Sequence, residues 1–537
     1  MPKSIKASFD IHDKTQLEII FDYFLLPDRK DLKKIESTQR FDLDFYLFFP
    51  PQMNINAETY KKENFFNDLR PLLSMKEPKY TWKMLYGEGK NRDISPLNCL
   101  EKLIEGKSEK DINKDITINQ LRLFACGFSS FFNKNMKRKC KHLKRSQKKS
   151  KDLTKISMES FIFLKRYFGL FLLWKNFRKS FLLKLKTNKN IEIKNEVQFI
   201  DEYLHFILKE NIARFTNSIK NYQPFLDKIL FSIISRRVRA ITKILYTEHN
   251  SEFSRVFKEK SPSSYKEKFS LRIGFLKRRV WQVLYLNVKE KNYFLNKKQF
   301  SYMIAAGVAA LWALLANTMI WYSLQFGENN FFGNLSGEIV GFSGSAIILA
   351  FITAYILKDR IKDIGRKYLQ NNLLKNLSDS HEKITYGSLN SKYINVGSIS
   401  ESFNFRNGQD HIPEEIINFR EYKLGSRFLD QEETINYYKK VILKGKVINK
   451  INENIFAVRD IIRLNIKNYI SRLGDPYFKT RLLTSEGKSK RIEVPRVYYI
   501  DLVLNYSQKD QSGQMQNIAL DCRRLIVNKE GVVRLES

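Results

Sequence analysis

The sequence predicts an α+β protein organised around a two-helix transmembrane hairpin, and three observations predict it. Two uncharged apolar runs lie close together past the middle of the 537-residue chain. Helical periodicities and a lysine- and arginine-rich block precede them, and short strand-like segments punctuated by glycine follow. The expected order is an N-terminal α/β cytoplasmic domain over 1–150 that ends in the polybasic block, then a mainly helical cytoplasmic region over 151–299. A transmembrane hairpin over 300–357, a juxtamembrane helix over 358–378 and a β-rich C-terminal cytoplasmic domain over 379–537 complete it. Hydrophobic residues make up 43% of the chain, with only 22 Gly and 12 Pro, which excludes collagen-like, mucin-like and broadly disordered classes.

The opening MPKSIKASFDIHDK lacks the apolar core of a secretory signal, so membrane insertion is expected from within the chain. Phe41 to Phe49 alternates and then turns continuously apolar, as a strand entering a core does, and QLEIIFDYFLL is expected to pair with it. Tyr60, Phe65, Phe66, Leu69 and Leu72 recur near a 3.6-residue period, which predicts a helix from Ala57 to Leu73 with Pro71 near its end. A second helix, Ile116 to Phe132, runs into residues 134–151, which hold ten basic residues in eighteen and no acid. Within that block Lys137, Arg138, Lys139, Lys141, Lys144 and Arg145 are the candidate contacts to anionic lipid or phosphate. The block contains no base-stacking aromatics, so leaflet lipid ranks first as its partner, a protein with an acidic surface second and nucleic acid third. The net charge of +37, from 94 Lys and Arg against 57 Asp and Glu, favours anionic surfaces in general.

Ser160 to Leu185 is apolar but interrupted by Lys165, Arg166, Lys175, Arg178 and Lys179, too charged to span a bilayer and suited to a buried or interfacial amphipathic helix. Two further helices are expected over Val197 to Ser218 and Phe225 to Tyr246, joined near Pro224, with Arg236, Arg237 and Arg239 on the second. RRVWQVLYLNV, from Arg278, reads as a strand just before the membrane.

Tyr302 to Leu324 is a run of 23 residues without a charge, about 34 Å long as a helix and sufficient to span. Ile339 to Leu357 adds 19 uncharged residues, ten of them Ile, Val, Leu or Phe. That content is worth roughly −3 to −6 kcal/mol of insertion before the small polar residues subtract. Tyr302, Trp321 and Tyr322 sit where rings prefer the headgroup level. The connecting segment carries Glu328 and Glu338 and no basic residue, whereas Lys289, Lys291, Lys297 and Lys298 precede the first run and Lys358, Arg360, Lys362, Arg366 and Lys367 follow the second. Both termini are therefore expected in the cytoplasm. Neither run holds an ionisable residue, which argues against an ion-coupled carrier. Ala305, Ala309 and Ala313 on the first run and Gly337, Gly341 and Ser345 on the second are candidate packing stripes, serving the hairpin itself or a homo-oligomer.

After the membrane, Lys358 to about Leu377 reads as a helix whose face of Ile361, Ile364, Tyr368 and Leu369 would dock on a cytoplasmic domain. Strands are expected in ITYGSL, YINVGSISESFNF, YYKKVILKGKVI, RIEVPRVYYIDLVLNY and ALDCRRLIVNKEGVVRL, with one helix at Ile455 to Ile470 and a hairpin turn at Asn528 to Gly531.

The search for chemistry yields no catalytic motif, and no cofactor or metal is expected. SEGKSKR, Ser485 to Arg491, has Leu482 where a phosphate-binding loop requires glycine, and Gly87 to Lys90 reads as a turn. Cys99, Cys126, Cys140 and Cys522 form no C-x-x-C pair, and Cys140 with His142 sits in a run of lysines that repels cations. His12, His142, His205, His249, His381 and His411 are scattered singly.

The segments FDLDFYLFFPPQMNINAETYKKENFFNDLRPLL, YILKDRIKDIGRKYL, ESFNFR, VYYIDLVLNY and CRRLIVNKEGVVRL together resemble a group of bacterial inner-membrane proteins with two central spans and no assigned activity. The resemblance implies a multi-pass protein of the bacterial inner membrane and carries over no site residue. The function expected is that of a membrane-tethered cytoplasmic interaction or sensing platform. The alternatives are a membrane-bound enzyme with a site between cytoplasmic domains, an oligomeric channel and a membrane-bound nucleic-acid binder.

Overall fold

The computed structural model describes residues 5–25, 37–87, 95–103, 105, 113–147, 153–185, 191–220, 232–233, 235–241, 243, 263–290, 293–325, 344–373, 378–387, 393–407, 411–425, 432–483, 485, 487–509 and 514–536. Helix and sheet are mixed, and the C-terminal region is β-rich.

Fourteen strands stand among the described residues: β1 (Ile5–Asp13), β2 (Gln16–Phe24), β3 (Gln39–Phe49), β4 (Leu69–Met75), β5 (Asn287–Glu290), β6 (Ser380–Tyr386), β7 (Ile394–Asn407), β8 (Glu433–Leu443), β9 (Ala457–Asn465), β10 (Tyr477–Leu483), β11 (Ser489–Pro495), β12 (Tyr498–Lys509), β13 (Met515–Asn528) and β14 (Gly531–Glu536). They form a four-stranded sheet in the order β1-β2-β9-β4, an eight-stranded sheet in the order β14-β13-β12-β3-β8-β7-β6-β5, and a separate ribbon of β10 and β11. Every pairing is antiparallel.

The two ends of the chain, expected as domains over 1–150 and 379–537, share both sheets. β3 pairs with β12 on one side, Phe45 opposite Leu504, and with β8 on the other, Phe45 opposite Tyr437. β9 runs between β2 and β4, with Ile462 opposite both Ile19 and Pro71. β3 meets two neighbours and is buried along most of its length, which is why its sequence slides from alternation into a continuous apolar run. Between the sheets lie Tyr23, Phe41, Phe65, Phe403 and Tyr437, with the Tyr23 and Phe41 rings stacked at 4.9 Å.

Several local expectations are corrected. QLEIIFDYF is β2, and it pairs with β1 and β9 rather than with β3. The helix expected over Ala57 to Leu73 is only α1 (Lys62–Asp68), and the chain then extends as β4. Pro71 has no N–H to give a ladder, and it fits because β4 is an edge strand of its sheet. The Ile455 to Ile470 segment is β9 followed by a single short turn, because Val458, Ile462 and Leu464 face the core with strand alternation. RRVWQVLYLNV is the end of a helix, a 3-10 turn and only then β5. The hairpin turn at Asn528 to Gly531 is present. The Asn528 Oδ1 accepts from the Gly531 amide at 3.1 Å, and Gly531 adopts φ +137° where a Cβ would run into the Lys14 carbonyl.

Helices α2 (Trp82–Tyr86) and α3 (Pro96–Lys102) lead to three long ones, α4 (Lys114–Gln147), α5 (Leu153–Lys184) and α6 (Ile191–Lys220), and α7 (Ser263–Trp281) follows. The expected Phe225 to Tyr246 helix falls largely outside the described residues. α5 is a core helix: Leu164, Tyr167, Phe171, Trp174 and Phe181 are buried, and the Trp174 indole donates to Asp201 of α6 at 2.8 Å. Glu196 of α6 is buried between Arg122 of α4 at 2.7 Å and Arg279 of α7 at 2.7 Å, which fastens three helices at one point. Burial works against its charge, but the two guanidiniums win and hold its carboxyl below the usual range.

Candidate functional site

α8 (Tyr293–Gln325) contains the first apolar run, and α9 (Gly344–Leu373) contains the second from Gly344 onward. One window among the described residues is long and apolar enough to cross a membrane, Tyr302–Met319, with mean hydropathy 1.5, and only 11% of it is buried. Residues 339–343 of the second run lie outside the described set. The two helices are in contact. The Arg366 guanidinium sits over the Tyr302 ring at 5.2 Å, and Gly365 meets Ala305, where a Cβ on the glycine would stand 3.5 Å from the alanine methyl.

Of the predicted packing stripes, Ala305 and Ala309 are buried at this contact and Ala313 is half-buried. Gly337 and Gly341 lie outside the described residues, as does the Ser345 side chain. Ala305, the first residue of the stripe on α8, meets Gly365, which follows the second run in the sequence. Elsewhere the pair presents large apolar side chains to its surroundings: Met303, Leu311, Leu314, Leu315, Met319 and Trp321 on α8, and Leu349, Phe351, Tyr355 and Ile356 on α9. Of the juxtamembrane face, Ile364 and Tyr368 are each 65% exposed, Ile361 is half-buried and the Leu369 side chain lies outside the described residues.

Residues 134–147 of the polybasic block form the last turns of α4. Leu121 to Met136 anchors the helix in the core, and beyond Met136 the side chains emerge. Lys137, Arg138, Lys141 and Arg145 are exposed, and Lys139 is half-buried with its ammonium 3.2 Å from Glu159 of α5. The Lys144 side chain lies outside the described residues. Cations at a helix C-terminus also complement its dipole, so the block has a structural role in addition to any ligand.

Two buried charge clusters escaped motif reading. Lys439 of β8 lies opposite Glu401 of β7, its ammonium 3.4 Å from that carboxylate and 2.7 Å from Asp460 of β9 in the facing sheet. The Tyr23 hydroxyl donates to Asp460 at 3.0 Å and the Tyr437 hydroxyl to Glu401 at 2.8 Å. Burial opposes the lysine charge, but the two carboxylates outweigh it and raise its pKa. On the outer face of the eight-stranded sheet, α10 (Glu414–Leu424) brings Arg420 to Glu432 at 2.7 Å and to Asp501 at 2.9 Å, and Arg524 reaches Asp501 at 2.8 Å. The Arg420 guanidinium lies 4.3 Å from the centre of the Phe48 ring. In-phase alternation along β8 was the available signal for Lys439, which shares its face with Ile435, Tyr437, Val441 and Leu443.

Neither cluster lines either of two cavities formed by the described residues. One, of 580 Å³, lies between β1 and the β12–β13 pair and includes Lys6, Phe24, Tyr506 and Asp521. The other, of 350 Å³, lies where α3 and α4 meet the chain after α11 (Gly445–Ile451), and includes Tyr80, Cys99, Gln120 and Asn452. Neither lining brings a nucleophile onto a general base. Among the described residues no three His, Cys, Asp or Glu side chains converge to hold a metal.

No protein family, curated protein or solved structure matches this chain. The exposed large apolar side chains of α8 and α9 depart from what a protein surrounded by water presents.

Proposed function

We propose that this chain is a two-pass membrane protein, with α8 and α9 as a hairpin and the sheets and helices on the cytoplasmic side as a tethered interaction or sensing platform. The observation that carries the reading is that Tyr302–Met319 is both apolar and 89% unburied, the reverse of a core helix. Apolar side chains point outward from all round α8, an arrangement suited to lipid on most sides and to α9 on one. The bacterial inner membrane as location draws its support from the resemblance described above and from the basic residues at both cytoplasmic ends of the runs.

Binding is favoured over turnover because the Lys439 and Arg420 clusters are ion-paired internally and line neither of the two cavities described above. The polybasic end of α4 serves as a contact to anionic lipid on this reading, with a protein partner next and nucleic acid after it. Alkaline carbonate extraction of membranes holding the full chain tests the tether. The protein stays with the pellet, and Leu311→Arg with Leu315→Arg, costing ~5 to 7 kcal/mol of insertion at a helix centre, releases it. Release of the unaltered protein overturns the reading.

A further inference from the structure

The β10–β11 ribbon is hydrogen-bonded to neither of the other sheets. Its register divides it into two faces. Phe478 opposite Val494, Thr480 opposite Ile492 and Leu482 opposite Lys490 form a mainly apolar face. Tyr477 opposite Pro495, Lys479 opposite Glu493, Arg481 opposite Arg491 and Leu483 opposite Ser489 form a mainly cationic one. Most of both is exposed, and Leu483 near the tip reaches 79%. A lone two-stranded ribbon is marginal in water, and like charges directly across a strand pair are destabilising. Arg481 and Arg491 stand in that arrangement, whereas Lys479 is paired with Glu493 at 3.3 Å. An occupant that covers the apolar side chains and supplies anions between the arginines removes both costs.

The sheet register indicates where that occupant lies. β11 enters β12 after only two residues, Arg496 and Val497, so the ribbon springs from the end of the eight-stranded sheet where β12 begins. Following the pairings across the sheet, Asp501 lies opposite Phe48, Phe49 opposite Glu433, and Glu433 opposite Asn407. Then Glu401 lies opposite Ser380, and Glu382 opposite Glu290. The same end of the sheet is thus the one from which β5 leads into α8 and at which α9 returns into β6. β12 stands four strands from β6 and five from β5, roughly 19 to 24 Å at about 4.8 Å per strand, and Ser380 lies level with Tyr506, roughly 26 Å along the strand from Tyr498 at about 3.3 Å per residue. The ribbon itself is roughly 23 Å long at about 3.3 Å per residue.

We propose that the β10–β11 ribbon is a second membrane contact, laying Phe478, Leu482 and Val494 of its apolar face into the interface of an anionic phospholipid leaflet while Lys490 on that face and Arg481 and Arg491 on the other bind its phosphates. This inference rests on the membrane reading of α8 and α9 and adds to it a specific, charge-selected contact made by the C-terminal region. The chemistry is that of an amphipathic interfacial element, with apolar side chains at the acyl boundary and cations at the headgroups.

The test uses the full chain in vesicles, with Cys99 and Cys140 replaced by Ser and an environment-sensitive dye placed at Leu482→Cys or, in a separate protein, at Met319→Cys. Vesicles are phosphatidylcholine alone or mixed with phosphatidylglycerol, and spin-labelled lipid is the quencher. The expected result is quenching at position 319 in both compositions and at position 482 only with phosphatidylglycerol, the latter falling several-fold in the R481Q/K490Q/R491Q variant. Quenching at 319 without quenching at 482 overturns the ribbon proposal and leaves the membrane reading standing. An unquenched dye at 319 overturns both. Equal quenching at 482 in the two compositions, or a change at 482 driven by an added oligonucleotide and not by anionic lipid, overturns the proposed lipid selectivity.

Discussion

Lys439 and Asp460 meet at 2.7 Å, one from each sheet, with both side chains fully buried. Their pairing, shared with Glu401, is the polar rivet of an otherwise aromatic and aliphatic interior. Removing one partner leaves uncompensated charge, so Lys439→Met lowers stability by roughly 3 to 5 kcal/mol. Adding Asp460→Asn and Glu401→Gln recovers most of that loss. Chemical denaturation of the three-variant series in a constant detergent checks both statements.

Asp501 predicts an acid limb. Burial pushes its carboxyl up, but Arg524 and Arg420 prevail and hold it below its ordinary 3.8. A carboxyl lowered in the folded state stabilises above the unfolded value, and that contribution fades as pH falls below about 3.8 through the folded value. The Asp501→Asn protein is therefore less stable at neutral pH and loses less on acidification. Parallel thermal melts from neutral pH down to the acid limb measure the difference.

Gly127 of α4 faces Tyr80, and a Cβ there would press into the ring and stand 2.9 Å from the Pro78 carbonyl. Gly127→Ala therefore destabilises by roughly 1 to 3 kcal/mol through overpacking, despite the better helix propensity of alanine. Gly307 has nothing within 4 Å of such a Cβ, and Gly307→Ala serves in the same melt as the comparison free of overpacking.

Replacing Lys137, Arg138, Lys139, Lys141, Lys144 and Arg145 by Gln removes up to about 1 kcal/mol of leaflet attraction per charge near the surface. Crosslinking of α4 to a photoactivatable phosphatidylglycerol then drops, and raised salt reproduces the drop in the unaltered protein. Competition by RNA at the same salt would assign the block to nucleic acid instead.

Helices and strands with clear periodicity were legible in the chain: α5 as a core helix, β3 as a buried strand and the Asn528 to Gly531 turn stand where residue pattern placed them. Long-range partnership was not. Nothing local to QLEIIFDYF or to Ala457–Asn465 says that they pair across more than 400 residues, because a strand's sequence records which face is buried and not which strand lies beside it. β9 also misled because its Val458, Ile461, Ile462 and Leu464 fit either period, and pairing with β2 on one side and β4 on the other decided for the strand. The buried ions were hidden for a related reason. Arg420, Glu432 and Asp501 come together only when α10 folds onto the sheet.

If α8 and α9 cross the membrane as proposed, both termini lie on one side of it, and thiol mapping in intact cells reads that topology. With Cys99 and Cys140 replaced by Ser, a cysteine is placed either at Asn330, between the two apolar runs, or at Tyr422, 80% exposed on α10. An impermeant maleimide added from outside, once the outer barrier is opened, labels position 330 and leaves position 422 unlabelled until the membrane is dissolved. Labelling of both positions alike, or of neither until lysis with the protein recovered in the soluble fraction, contradicts the account.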